Sequence, residues 1–304
     1  MVARRRGPWS APAVAANDSS MTLRFYGAGA AFSRRYGTTC SGLTLRSGDQ
    51  WLIDCGRQAP DQLHAAGVSW HAIAGQIMTH VHGDHTFGLE DFAFSRYYHA
   101  DAAHQVASIL DGGPRPKLVC HSAVRDEVWE TMRAAFRYVG TKGGGNSSAA
   151  TLETYFEIVG AVETLPPDLE AWPAGERFDV DGLKLWTRDT IHVPEKPSTS
   201  LEVAVDDDRV MWWSGDSTVH TDVLTDLQDR ATIIFHDCTF IEYEGQVHGS
   251  FDALAALPEA LRTKIVLMHH EDDLEDHRER AEKAGFRIAL PGHVYDLESG
   301  QRRA

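Results

Sequence analysis

Residues 79–85 read Thr-His-Val-His-Gly-Asp-His, which places four side chains able to ligate a metal within six positions. In an extended chain, residues i and i+2 face the same side, so His80 and His82 can bind one cation together. The glycine that follows permits a turn that directs Asp84 and His85 towards a second cation. Imidazole and carboxylate groups are ligands that zinc takes at catalytic sites. The segment predicts a binuclear metal centre, with a solvated histidine-rich loop as the alternative.

The surrounding sequence predicts strands and helices that alternate in two halves. Short apolar runs bounded by glycine turns predict strands, and longer amphipathic stretches predict helices. Such interleaving favours layered sheets with helices outside. The predicted strands are 22–26, 42–45, 51–54, 76–78, 117–120, 183–186, 200–205, 210–214, 232–235 and 264–268, and the predicted helices are 60–66, 87–98, 124–138, 222–229, 251–261 and 275–284.

Composition describes a globular chain with an acidic surface. The 304 residues are 42% hydrophobic and 24% charged, and no apolar run reaches membrane-spanning length, so we expect no membrane partner. The net charge of −15 should repel large nucleic acids and anionic membranes. A small anionic substrate stays compatible with this charge, because divalent cations would reverse the sign of the field inside a cleft.

The cysteines indicate the cellular compartment, and the N-terminal residues indicate where the domain begins. Cys40, Cys55, Cys120 and Cys238 are far apart, without the short spacing of a zinc cluster, and favour a reducing cytoplasm. Residues 1–20 combine arginines with a short apolar stretch broken by prolines, which favours a disordered extension over an export signal. We therefore expect one domain over residues 21–304.

Residues 79–85 resemble the H-x-H-x-D-H motif of the metallo-β-lactamase superfamily. The longer segment 82–89, followed by Ser95-Arg96, looks more like ribonuclease Z and related phosphodiesterases than like a β-lactamase. Residues 25–30 and 52–56 are similar to the family's glycine loop and aspartate-ended strand. The resemblance extends from residue 21 to about residue 271. It implies an α/β fold, an αββα sandwich of two mixed sheets with helices on the outer faces.

The resemblance implies three further metal ligands downstream. His192 would complete the histidines of the first metal, and Asp216 resembles the carboxylate that bridges both metals. The last ligand should follow the strand 264–268, where His269 and His270 are adjacent, and alignment on the family pattern favours His269. The acidic residues 271–273 depart from the family pattern at this point. The implied cofactors are two zinc ions, with manganese or another divalent transition metal as alternatives.

Three residues are implied as catalytic. A metal-bridged hydroxide is the expected nucleophile, and Asp84 is suited to orient it and to accept its proton. The segments 236–240 and 248–250 resemble two family motifs in which an acidic residue holds a histidine near the leaving group. Asp237 would orient His248, which would protonate the departing alkoxide. Asp54 and Cys55 are interpreted as structural neighbours of the site.

The two catalytic motifs favour phosphodiester cleavage, because an alkoxide leaving group gains most from a proton donor. Ribonuclease Z grips tRNA through a basic arm, whereas the comparable stretch 141–179 here is acidic, so a small phosphodiester such as a cyclic nucleotide is expected. A tRNA 3′-processing endonuclease and a β-lactam or lactone hydrolase are the alternatives. Relatives are often homodimers, and the same is expected here. Tyr97, Tyr98 or Tyr155 could stack on a base and Arg96 or Lys196 could contact phosphate, but we expect each to be an ordinary surface or core residue instead.

Overall fold

The computed structural model describes residues 20–167 and 172–304. The predicted disordered extension, residues 1–20, lies outside this range apart from Ser20, and so remains a prediction. Within the described part of the chain, no helix is both long enough and apolar enough to cross a membrane.

The strands follow the alternation that the sequence predicts, with additional short strands between residues 138 and 180. In the first half of the chain they are β1 (Thr22–Gly27), β2 (Cys40–Thr44), β3 (Gln50–Ile53), β4 (Ile73–Met78), β5 (Lys117–Cys120), β6 (Tyr138–Gly140), β7 (Ser147–Ala149) and β8 (Glu157–Ile158). In the second half they are β9 (Glu163–Leu165), β10 (Gly175–Val180), β11 (Leu183–Asp189), β12 (Thr199–Ala204), β13 (Val210–Trp213), β14 (Ala231–Asp237), β15 (Ile265–Met268), β16 (Arg287–Ile288) and β17 (Val294–Asp296).

These strands form two large mixed sheets and a small hairpin. The first sheet has the order β17-β1-β2-β3-β4-β5-β8, and the second has the order β16-β15-β14-β13-β12-β11-β10-β9. Strands β1 to β3 pair antiparallel, and β3 to β5 pair parallel. In the second sheet, β10 to β13 pair antiparallel and β13 to β16 pair parallel. Each sheet therefore contributes a parallel block whose carboxyl ends lie at one edge.

The helices connect these strands. They are α1 (Ala59–Ala65), α2 (Gly83–Thr86), α3 (Leu89–Tyr98), α4 (Ser122–Phe136), α5 (Leu152–Tyr155), α6 (Thr221–Arg230), α7 (Phe251–Ala255), α8 (Glu259–Arg262) and α9 (Leu274–Lys283). The helix predicted over 251–261 is in fact two helices. Pro258 precedes α8 in an extended conformation, and proline disfavours helical geometry in the residue before it, which separates α7 from α8.

Three buried clusters define the layers. The central cluster joins the inner faces of both sheets, and Phe25 of the first sheet contacts Trp213 and Phe235 of the second at ring-centroid distances of 5.7 Å and 5.4 Å. A second cluster packs α1, α3 and α4 against the first sheet, and a third packs α6 to α9 against the second. The layers are helix, sheet, sheet and helix, which confirms the predicted αββα sandwich.

The stretch 141–179 is not the protruding arm that the sequence analysis expected. Parts of it belong to the two large sheets as β8, β9 and β10. Leu152, Tyr155 and Phe156 are buried in the second cluster, and this apolar surface anchors the segment to the body of the fold. Residues 168–171, with two of the acidic side chains in that stretch, lie outside the described residues. The segment still exposes acidic side chains, among them Glu153, Glu157 and Glu163, so repulsion of tRNA stays a prediction.

Candidate metal centre

The residues assigned as metal ligands all follow the carboxyl ends of strands, at the edge that the two sheets share. His80 follows β4, His192 follows β11, Asp216 follows β13 and His269 follows β15. Because neighbouring parallel strands end at the same edge, residues far apart in sequence meet there. The side chains that converge are His80, His82, Asp84, His85, His192, Asp216 and His269.

The first group of converging donors consists of three imidazoles and one carboxylate. His80 Nε2 lies 3.1 Å from His82 Nδ1, and His192 Nε2 lies 3.2 Å from the same atom. Asp216 Oδ2 is 3.8 Å from His80 Nε2 and 3.9 Å from His192 Nε2. One donor atom from each residue lies within 4.8 Å of all the others, a spacing compatible with a single cation.

The second group shares Asp216 with the first. His85 Nε2 is 3.2 Å from Asp84 Oδ2 and 3.3 Å from Asp216 Oδ1. His269 Nε2 is 3.4 Å from Asp84 Oδ2 and 3.3 Å from Asp216 Oδ2. Asp216 therefore reaches both groups, which is the position that a bridging carboxylate requires.

Asp84 and His85 reach the site from a helix rather than from the turn that the sequence analysis expected. His82 is extended, at φ −117° and ψ 161°, and directly precedes the single turn α2 that carries both residues. Gly83 does not have the positive φ of a left-handed turn. A Cβ at this position would lie 2.9 Å from the Phe87 ring, so the glycine is needed for space.

The backbone directs His269, and not its neighbour His270, into the site. His269 has a left-handed φ of 60°. His270 is buried, and its Nε2 donates a hydrogen bond to the Ala289 carbonyl at 2.9 Å. The geometry therefore favours His269 as the ligand, as the sequence alignment did.

The electrostatics of the centre suit ligands of a cation. Burial lowers the pKa of His80 well below its usual range and lowers that of His82 to about 4, so both imidazoles are neutral at neutral pH. Burial raises the pKa of Asp84, but His85 and His269 outweigh it and hold the pKa below its usual range. Neutral imidazole and ionised carboxylate are the forms that bind metal.

The carboxylates around His85 indicate where a cation would balance their negative charge. Its Nε2 is buried without a hydrogen-bond partner among the described residues, although carboxylate oxygens of Asp84 and Asp216 face it. Burial lowers the pKa of His85, but Asp216, Asp84 and Asp54 outweigh it and raise the pKa well above its usual value. A divalent cation supplies the charge that these carboxylates attract, so the residues present fit a metal.

Asp54 has a closer connection to the centre than the sequence analysis assigned. It is fully buried, has a φ of 60°, and accepts a hydrogen bond from His85 Nδ1 at 2.8 Å. Thr79 donates to the same carboxylate from its backbone N–H at 2.9 Å and from its hydroxyl at 2.8 Å. A carboxylate on the far nitrogen of a ligating histidine fixes the ring and its tautomer. The signal in the sequence was an aspartate at the end of an apolar strand.

Asp237 and His248 form the hydrogen-bonded pair that the resemblance implies. Asp237 ends β14 and is fully buried, and its Oδ2 accepts a hydrogen bond from His248 Nδ1 at 2.8 Å. His248 Nδ1 also lies 3.9 Å from Asp216 Oδ2. The aspartate therefore holds the histidine as the resemblance implies. Asp216, Asp237, His248 and His269 form a third group that could hold an ion, so a ligand role for His248 is an alternative to test.

The rim of the centre contains an exposed aromatic side chain. A cavity of about 250 Å³ is lined by residues 30–33, Thr239, His248, His269 and the acidic pair 271–272. Within the loop, Phe32 is 86% exposed, and the Arg57 guanidinium lies 6.0 Å from the centroid of its ring. The Arg57 guanidinium also donates to the Ala31 carbonyl. An apolar surface and a cation thus lie beside the metal-binding side chains.

Most of the side chains considered for substrate contact have the ordinary structural role that the sequence analysis favoured for them. Arg96 is buried and donates to the carbonyls of Trp70, Ile73 and Pro114, so it supports the fold. Tyr97 and Tyr155 belong to the cluster beneath α3 and α4, and the Tyr98 hydroxyl accepts from the Gly140 N–H. Lys196 lies near His192 but pairs with Glu127 at 3.1 Å.

Residues 21–290 match the model of a protein family described as Anti-Pycsar protein Apyc1. The chain belongs to the Apyc1 family. A relative of that name from Saccharibacillus brassicae is 31% identical over 88% of this chain and 96% of its own length. Another from Paenibacillus xerothermodurans is 29% identical over 88% of this chain and 94% of its own length. A relative from Bacillus phage BSP38 is 28% identical over 90% of this chain and 98% of its own length.

Solved structures confirm the fold that the resemblance implied for this Apyc1 family member. The short form of human tRNase Z superposes with a TM-score of 0.61 at 20% identity, covering 91% of this chain and 99% of that one. The metallo-β-lactamase fold protein YhfI from Bacillus subtilis superposes with a TM-score of 0.63 at 17% identity, and it also covers 91% of this chain and 99% of its own. The chain thus has the metallo-β-lactamase fold, and its converging histidines and aspartates could hold divalent metal ions.

Proposed function

We propose that the protein is a binuclear phosphodiesterase that acts on small phosphodiesters, with cyclic nucleotides as its leading substrates. The observation that carries this proposal is the Asp237–His248 pair beside Asp216. A positioned proton donor is most useful where the leaving group is strongly basic, and the alkoxide that leaves an alkyl phosphodiester is more basic than a thiolate.

Seven residues would hold two divalent cations, and we propose zinc, with manganese as an alternative. Two cations at such a site activate water and stabilise negative charge on attacking and leaving oxygens. The first site would use His80, His82, His192 and Asp216, and the second would use Asp84, His85, His269 and Asp216.

The chain itself would move two protons. Asp84 accepts the proton of the attacking water as the new P–O bond forms. His248 Nδ1 is engaged by Asp237, so Nε2 is the nitrogen that donates a proton as the bond between phosphorus and the leaving oxygen breaks. Asp237 acts through His248 as a positioning residue, because it fixes the ring and favours its protonated form.

The rim supports a substrate that carries a base. Phe32 is exposed next to the site, and an aromatic face stacks with a nucleobase in a sequence-tolerant way. Arg57, beside that ring, can contact a phosphate oxygen. The net charge of −15 disfavours tRNA, whose binding depends on many phosphate contacts.

A substrate panel tests the proposal. Purified protein of known metal content is assayed with bis-p-nitrophenyl phosphate, purine and pyrimidine cyclic nucleotides, precursor tRNA and nitrocefin. We expect turnover of the first two classes and its loss after chelation. Cleavage of precursor tRNA with no action on cyclic nucleotides would favour the endonuclease alternative, and nitrocefin turnover without phosphodiesterase activity would favour the lactamase alternative. We also propose a homodimer, which light scattering on the same sample would test.

A further inference from the structure

We infer a second binding site, outside the metal centre, for a small phosphorylated ligand with a polar planar ring, such as a nucleoside monophosphate. The site is a cavity between β1, the loop at residues 34–37 and α1. Its volume of about 360 Å³ falls in the range of small-molecule sites. None of the residues assigned as metal ligands lines it, so the inference is independent of the proposed function.

The wall of this cavity carries more positive than negative charge, unlike the chain as a whole. Arg24, Arg34 and Arg35 line it, and Asp61 is the acidic side chain beside them. This local excess of positive charge, on a protein whose net charge is −15, attracts an anion. Arginine is suited to phosphate, because its planar fork of donors matches phosphate oxygens.

Arg24 is an unused donor in this wall. Its Nε is buried and has no hydrogen-bond partner among the described residues. Its guanidinium lies 5.4 Å from the centroid of the Tyr26 ring, a contact that orients the side chain without satisfying its charge. A buried donor left unpaired costs free energy, so a ligand that accepts from it gains more than at an exposed arginine.

Gln62 provides an unused acceptor in the same cavity. Its Nε2 donates to the Thr38 carbonyl at 3.0 Å, whereas its Oε1 is buried without a partner among the described residues. Gly27 and Gly37 make room for this amide, since a Cβ at either position would lie 2.2 Å from Nε2. The amide is therefore held with its oxygen available, and that oxygen needs an N–H or O–H donor.

A nucleoside monophosphate can form hydrogen bonds with both Arg24 and Gln62. A phosphate accepts from Arg24, and a ring with an N–H donates to Gln62. The guanidinium of exposed Arg35 lies 5.4 Å from the centroid of the buried Tyr36 ring and 3.8 Å from Glu275, and its planar group can stack on a ligand ring. Inorganic phosphate lacks the planar ring, and a nucleoside lacks the negative charge that the arginines attract.

Calorimetric titration of the full-length, metal-loaded protein tests this inference. The titrants are 5′-AMP, 5′-UMP, inorganic phosphate and adenosine. We expect a nucleotide to bind, and we expect Arg24→Gln and Gln62→Leu each to weaken that binding by about tenfold. Arg137→Gln is the matched control, since Arg137 is exposed and stacks on Tyr138 at 5.5 Å in the same manner.

Hydrolysis of bis-p-nitrophenyl phosphate by the Arg24 variant should equal that of the wild type, which separates this site from the metal centre. Unchanged nucleotide affinity in the Arg24 variant would overturn the inference. The inference would also be overturned if inorganic phosphate bound as tightly as the nucleotide. The same holds if the Arg24 variant changed the mass of the oligomer but left nucleotide binding intact. Should Arg24→Gln fail to fold, exposed Arg34→Gln on the same wall provides the equivalent test.

Discussion

Asp54 and His85 are 31 positions apart in sequence and are joined by a hydrogen bond of 2.8 Å between Oδ2 and Nδ1. The bond links the end of β3 to the helical turn α2, and leaves His85 Nε2 facing Asp84 and Asp216. Asp54 thus connects the backbone of the first sheet to the metal centre. A residue of this kind acts on the metal only through the ligand that it orients.

We therefore expect Asp54→Asn to lower metal affinity by about 10- to 100-fold, because the amide holds the His85 ring less firmly and makes it a weaker ligand. Competition with a chromophoric chelator measures this directly. Asp49→Asn, at an exposed turn after β2, is the control and should bind metal normally. Equal affinities in both variants would rule out the positioning role.

Asp216→Ala should abolish activity and lower the metal content of the purified protein, because its carboxylate belongs to both ligand groups. Elemental analysis and turnover of bis-p-nitrophenyl phosphate are measured on one preparation. Asp222→Ala, an exposed position at the start of α6, should change neither. Full metal occupancy in the Asp216 variant would contradict a bridging carboxylate.

His248→Ala should keep its metal and slow the cleavage of a cyclic nucleotide by about 10²- to 10⁴-fold, the usual contribution of a general acid. Bis-p-nitrophenyl phosphate should be affected much less, because nitrophenolate leaves without needing a proton. The surface pair His104–Asp101, also hydrogen bonded, at 2.9 Å, supplies the control His104→Ala. Loss of metal in the His248 variant would instead identify this histidine as a ligand.

Phe32→Ala should raise KM for a cyclic nucleotide by about tenfold and leave kcat for bis-p-nitrophenyl phosphate unchanged, since it removes a stacking surface worth about 1–3 kcal/mol. Steady-state kinetics with both substrates measure the difference. Tyr138→Ala removes another exposed aromatic side chain, 60% exposed, that does not line the rim cavity. An unaltered KM in the Phe32 variant would remove the argument for a base-bearing substrate from the rim.

Asp296→Asn should destabilise the fold at neutral pH by about 1–2 kcal/mol. Burial raises the pKa of Asp296, but hydrogen bonds from Ser299, Arg303 and Ser20 outweigh it and lower the pKa to about 2. Because the folded pKa is depressed, this stabilisation is complete above about pH 4 and is lost as the pH falls through about 2.

Denaturant unfolding at several pH values should show the wild type and the Asp296 variant converging at low pH. Asp206→Asn, in an exposed turn, is the control and should lower the free energy of unfolding by less than Asp296→Asn does at neutral pH. A gap between wild type and the Asp296 variant that stayed constant from neutral to acid pH would show that the charge of Asp296 is not what stabilises the fold.

Local patterns in the sequence predicted layered sheets with outer helices and a metal centre at residues 80–85, whereas the αββα sandwich and the ligands downstream came from the resemblance to a family. His80 and His82 were identifiable from a dense motif, whereas His192 has no local signal and depended on the resemblance to a family. Long-range packing escaped prediction. The stretch 141–179 looked like an acidic arm because its charges are visible in the sequence, but the burial of Tyr155 that anchors it is not. An ordinary structural role was expected for Arg96, but only the fold shows the three carbonyls that it contacts.

The pairing of β17 with β1, in which Leu23 faces Tyr295, has a consequence for synthesis of the chain on the ribosome. Strands β1 to β5 can associate once roughly the first two fifths of the protein have emerged, but the outer edge of β1 stays open until residues 294–296 arrive. An open strand edge can pair with other chains. Nascent chains should thus be most prone to association late in translation, and a truncation before residue 294 should turn a soluble product into an aggregating one.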